Sequence, residues 1–170
     1  IILELDDNFL VGKIPAFIGE LTNLIEIDFD GNALTGKLPD SIGNLVKLIM
    51  LELDQNKFTG PIPDSFGNLS NLLVLELFEN ELTGSIPESL SELKALQEFE
   101  LYSNELTGTL PCHLSKLKNL THFNVFDNRL NGTIPKGLST LPFLESFILK
   151  DNSFENHGGA NNMDCPLMFN

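Results

Sequence analysis

Five carboxylates recur at one phase of a 24-residue period: Glu4, Asp28, Glu52, Glu76 and Glu100. Two residues later a second series begins with Asp6, Asp30 and Asp54, then turns aromatic at Phe78, Tyr102 and Phe126. Carboxylates so placed can transfer protons, ligate a hard cation, or attract a positively charged partner. Proton-transfer catalysis needs a nucleophile–base pair at a matching phase, and none is found. His113, His122 and His157 fall at unrelated phases, and no phosphate-cradling glycine loop occurs. No enzyme is expected. Asp6, Asp28 and Asp30 offer the oxygen ligands that calcium prefers, but a flat array lacks the wrapping loop that supplies six or so of them. Loose counterions are the expectation, with no resident metal and no cofactor. Partner attraction remains.

The period that sets this phase is written most clearly in asparagine, at Asn8, Asn32, Asn56, Asn80, Asn104, Asn128 and Asn152. A fixed interval of this size marks a solenoid, each repeat being one coil stacked on the last. Before each asparagine, two apolar residues flank one variable position, as in Leu51-Glu52-Leu53 and Phe99-Glu100-Leu101. That alternation predicts a strand with one buried face, and equal spacing predicts parallel stacking of the strands. A further buried position follows the asparagine (Leu34, Phe58, Leu82), then a turn glycine, then a proline. The closing segment, such as 40–45, is too short for a full helix and predicts one 3₁₀ turn. Its leucines, including Leu21, Leu45, Leu69, Leu93, Leu117 and Leu141, are expected to face inward. Where the chain turns out of the strand, backbone groups point into the coil, and a carboxamide carries both donors and an acceptor. The asparagines therefore read as a structural ladder rather than a binding site.

The columns facing solvent on the predicted sheet hold 15 acidic residues and one basic residue, Lys150, out of 24 and 10 in the whole chain. The face thus carries −14, and the remaining nine of each sign cancel. Adjacent unit charges at a strand spacing of about 4.8 Å repel by about 0.9 kcal/mol in bulk water. Splayed glutamates and salt reduce that cost, and the field draws in a basic partner. The partner-binding residues predicted are Glu4, Asp28, Asp30, Glu52, Asp54, Glu76 and Glu100 for steering, with Phe78, Tyr102 and Phe126 as anchors. A net charge of −14 and pI of about 4.4 argue against nucleic acid. Mean hydropathy of +0.04, without a long apolar run, argues against membrane insertion.

The repeat, with Leu-Thr-Gly-Lys-Leu-Pro at 34–39 and Leu-Thr-Gly-Ser-Ile-Pro at 82–87, resembles the plant-type leucine-rich repeat over residues 1–154. The resemblance implies an α/β solenoid: a right-handed superhelix of about seven 24-residue coils, with a concave parallel sheet, short 3₁₀ turns on the convex side and a second short strand near the Leu-Thr-Gly segment. Receptor-kinase ectodomains and polygalacturonase-inhibiting proteins belong to that family, which implies an extracellular or secretory location. The function expected is non-enzymatic recognition of a basic protein or peptide on the concave face. The alternative is an architectural subunit docked on neighbouring subunits by its bare apolar first coil, since Ile1-Ile2-Leu3 opens in mid-repeat.

Three sequons, at Asn68, Asn119 and Asn131, are candidate glycosylation sites. Residues 155–170 break the pattern and are expected to form a tail or cap. Cys112 and Cys165 start two coils apart, so free thiols are expected unless the tail folds back to bring the two within about 7 Å for a bridge.

Overall fold

The computed structural model describes residues 1–155. Its inner sheet has seven parallel strands: Ile2–Glu4, Glu26–Asp28, Met50–Glu52, Val74–Glu76, Glu98–Glu100, His122–Asn124 and Ser146–Ile148. Each strand pairs with the next in sequence at an offset of 24 residues, as in Leu51↔Leu75 and Glu52↔Glu76. A second parallel sheet contains Val11–Gly12, Ala33–Gly36, Lys57–Gly60, Glu81–Ser85, Glu105–Thr109, Arg129–Gly132 and Ser153–Phe154. Here the offset is 22, as in Thr59↔Glu81. Equivalent residues therefore slide by two positions per coil in this sheet but stay aligned in the inner one.

Between the sheets, the prolines hand an extended chain to short 3₁₀ helices. Pro39 has φ −68° and ψ 130°, and the helix Asp40–Asn44 follows it. Its tight turns are closed by Ile42 N–H to Pro39 O at 3.1 Å and Leu45 N–H to Ile42 O at 2.9 Å. Ala16–Glu20, Asp64–Asn68, Glu88–Glu92 and Cys112–Lys116 repeat the motif, whereas 136–140 makes only turns. These helices stack so closely that a Cβ on Gly43 would lie 2.4 Å from the Ser65 carbonyl oxygen.

The core runs as one apolar column through the coils. Ile27, Leu51, Leu75, Phe99 and Phe123 are fully buried from the inner strands, and Ile42, Phe66, Leu90 and Leu114 from the helices. Burying each such side chain stabilises the stack by about 1.5–3 kcal/mol. The first coil departs from the inward pattern: Leu21 is 47% exposed, while Leu45, Leu69, Leu93, Leu117 and Leu141 are buried. Leu5 and Leu10 are exposed too. The tail or cap expected at 155–170, apart from Glu155, lies outside the described residues, as does Cys165. Cys112 is disulfide-bonded, which corrects the expectation of a free thiol.

Candidate functional site

The inner strands lay the predicted carboxylates in one register: Glu4↔Asp28, Asp28↔Glu52, Glu52↔Glu76 and Glu76↔Glu100, ending at Asn124. The next column is carried on backbone rungs that extend the sheet past its strands. Gln55 N–H donates to Phe78 O at 3.0 Å, and Glu79 N–H to Tyr102 O at 3.0 Å. Those rungs hold Phe78 and Tyr102 in parallel, with ring centroids 4.3 Å apart and planes 9° from each other. Phe126 sits on the following rung and does not join that stack. Asp54 lies in the same column on the other side of Phe78 and is only 3% exposed.

Burial governs the electrostatics of this face more than repulsion does. The Glu52 carboxyl is pushed up to about 8, by burial first and then by Asp28 and Glu76; it also shares a hydrogen bond with Asp28. Burial likewise raises Asp54 to about 7, Glu100 to about 7 and Asp30 to about 6. Glu76 moves upward for the same reason, with Glu98, Asp30 and Asp28 adding to it. The ladder relieves its strain by holding protons, so the formal −14 overstates the charge of the free face near neutral pH. Lys94 and Lys116 pair with Glu92, His113 with Glu88, and Arg129 with Glu105, all away from this face. Among the described residues no basic side chain pairs with Glu52, Asp54, Glu76 or Glu100.

A family profile described as a leucine-rich repeat region matches residues 2–157. The chain belongs to the leucine-rich repeat family. Among solved structures, the plant peptide hormone receptor RGFR1 in complex with RGF2 shares 39% identity with this repeat chain, with a TM-score of 0.85 over 86% of it and 24% of the receptor. The ectodomain of the membrane receptor kinase GASSHO1/SCHENGEN3 from Arabidopsis thaliana, in complex with CASPARIAN STRIP INTEGRITY FACTOR 2, is 38% identical, with a TM-score of 0.89 over 90% of this chain and 18% of that one. The Arabidopsis receptor kinase HAESA, in complex with the peptide hormone IDA and the co-receptor SERK1, is 38% identical, with a TM-score of 0.86 over 90% and 26%. The repeat chain thus spans about a quarter or less of these receptor chains. No curated protein sequence matches it.

The asparagines of this leucine-rich repeat bind backbone rather than one another. Asn56 Oδ1 accepts from Leu34 N–H at 2.9 Å, and Asn56 Nδ2 donates to Phe29 O at 2.8 Å and Asp54 O at 2.9 Å. Asn32, Asn80, Asn104, Asn128 and Asn152 repeat the pattern, while Asn8 reaches only Leu5 and Asp6 of its own coil. The three candidate sugar acceptors, Asn68, Asn119 and Asn131, are all exposed, although Asn119 Nδ2 is tied to Lys94 O at 2.8 Å.

Oxygen atoms of Asp6, Asp28 and Asp30 come within 4.8 Å of one another, but neighbouring strands, not a wrapping loop, present them. Glu88, Cys112 and His113 also converge, yet the disulfide leaves Cys112 without a thiolate to offer a metal. Sequence reasoning passed over one feature of the face, an apolar margin beside the carboxylates. Ile25 and Ile49 are 36% and 37% exposed there, and Met50, Leu73 and Val74 are half-buried. Its signal was present as outward apolar residues at the repeat interval, overshadowed by the neighbouring charges.

Proposed function

We propose that this chain is a non-enzymatic recognition module that receives an extended basic peptide, or a basic segment of a protein, on its concave sheet. The observation that carries the reading is segregation of charge. Fifteen acidic residues and one lysine share the inner columns, while the rest of the chain is neutral. Repulsion among unpaired carboxylates costs stability, and a cationic partner relieves it while its hydrogen bonds offset the dehydration of the face. The peptide-bound receptors among its relatives support the same class of partner, and their ectodomains support a place outside the cell. In that compartment Asn68 and Asn131, both off the inner strands, are acceptors for sugar.

Ionic strength tests the reading. A basic peptide steered by this face binds tightly at low salt and weakens sharply as the salt rises towards 1 M or so, because exposed charges are then screened beyond about 3 Å. Binding that is indifferent to salt overturns it.

A further inference from the structure

Asp54 is the odd member of the acidic face. It is 3% exposed, has no cationic partner among the described residues, and sits in register between Asp30 and the Phe78 ring. A buried ionisable group normally has a partner or gives up its charge. Its carboxyl, raised to about 7, does neither completely at neutral pH. Glu76 stands one coil further along in the adjacent column, with Phe78 two residues beyond it and stacked on Tyr102. On the far side of the carboxylates, Met50 pairs in register with Val74, and both are half-buried.

We propose that Asp54, Glu76 and the Phe78–Tyr102 stack form a subsite for an arginine side chain, and that Met50 and Val74 form a shelf for the apolar residue next to that arginine in the same peptide. This deepens the peptide-recognition reading and rests on it. Side chains of an extended peptide alternate in direction. A backbone running along the stack over Glu52 and Glu76 therefore sends one side chain towards Asp54 and Phe78 and the next towards Met50 and Val74.

Arginine fits this corner better than lysine. Its guanidinium is flat, weakly hydrated and forked, so it can lie against an aromatic ring while donating in its own plane to two carboxylates. A lysine ammonium is compact and strongly hydrated, and it would meet the two carboxylates and the ring with fewer donors aligned. The ring stack supplies a cation–π surface that either cation can use, but the planar one covers it.

The chain carries its own reporter, since Tyr102 is its single tyrosine and it has no tryptophan. The probes are blocked heptapeptides, acetyl-Gly-Ser-Arg-Leu-Gly-Ser-Gly-amide and its lysine and citrulline counterparts, with blocked decalysine as a charge-only control. Tyrosine fluorescence and calorimetry are read for the native chain, Asp54→Asn and Phe78→Ala, with thermal melts to verify folding. The arginine peptide is expected to bind about fivefold or more tighter than the lysine peptide, and citrulline to abolish binding. Asp54→Asn, which keeps the shape and removes a buried charge, should erase the preference for arginine. Equal affinity for arginine and lysine, or an Asp54→Asn variant that retains the preference, overturns the subsite. If decalysine still binds in that case, the acidic face recognises charge alone and the broader reading stands. If neither the heptapeptides nor decalysine binds, both fall.

Discussion

The backbone N–H of Phe58 donates to Oδ1 of Asn80 at 2.9 Å, across the boundary between two coils. The same carboxamide donates from Nδ2 to Leu53 O at 3.0 Å, Leu77 O at 3.2 Å and Phe78 O at 3.2 Å. One side chain thus ties two coils together where the chain leaves the inner sheet, directly beneath Phe78.

Asn80→Ala strips these partners inside a coil where Asn80 itself is 9% exposed. Each buried polar group left unpaired costs about 1–3 kcal/mol, so a loss of at least about 3 kcal/mol is expected. Asn8→Ala, in the exposed first coil, should cost less than about 1 kcal/mol because water replaces its bonds. Denaturant titration of the two variants measures the contrast. Equal costs would mean that the ladder does not act through burial.

The concave carboxylates predict opposite pH trends for stability and binding. Glu52, Asp54, Glu100 and Asp30 titrate at about 8, 7, 7 and 6 in the fold, against ordinary values of 4.5 or 3.8. Between those limits the folded chain retains protons that the unfolded chain has released. Their contribution to stability is fully present below pH 4 or so and is lost as the pH rises towards 8 or so. The other groups facing them are Asp6, Asp7, Asp28, Glu76 and Glu98, which add to the upward shift, and Asn124 and His122, which oppose it at Glu100, while the backbone N–H of Asp54 opposes it at Asp54. A melting temperature that falls from pH 5 to pH 8 is expected. A basic peptide favours the ionised face, so its affinity should rise over the same interval with release of protons on binding. Calorimetry in buffers of different ionisation enthalpy counts them.

The fold was legible because the repeat supplied the same answer seven times over. Leu51-Glu52-Leu53 states its own alternation, and each proline marks where the 3₁₀ turn begins. Two features were hidden because they depend on how the coils meet. The 22-residue offset of the second sheet is a relation between neighbours, and no single repeat contains it. The residue before each asparagine takes a left-handed backbone; Gly31 and the aspartates Asp7, Asp127 and Asp151 suit it by type, but Gln55 at φ 48° and Glu79 at φ 50° do not. At the site, the charged and aromatic columns could be read from alternation alone. The near-complete burial of Asp54 could not, because burial depends on how neighbouring coils pack and not on the type of one residue.

Two glycines test which constraint shapes the convex turns. Gly84 has φ 80°, and a Cβ there would meet Pro61 at an ordinary 3.5 Å. Gly84→Ala should therefore cost only the conformational penalty, about 1–2 kcal/mol. Gly43 has no left-handed φ, but its Cβ would collide with the Ser65 backbone. Gly43→Ala should cost more than Gly84→Ala, because helices in two coils must separate. Thermal melts of the pair give the order, and the reverse order would show that backbone conformation outweighs stacking.

Replacing Glu52, Glu76 and Glu100 by lysine tests recognition on the concave face. The change removes three carboxylates from one registered column and adds three cations, shifting the formal face charge from −14 to −8. Lysine side chains of similar reach can extend to solvent from half-buried positions, so the coils should still stack. Decalysine is expected to lose affinity by about tenfold or more, with a shallower dependence on salt, because fewer anionic sites remain to be neutralised. Titration of the variant, with thermal melts to verify folding, measures the loss. Unchanged decalysine affinity in a folded variant would remove the concave face from recognition.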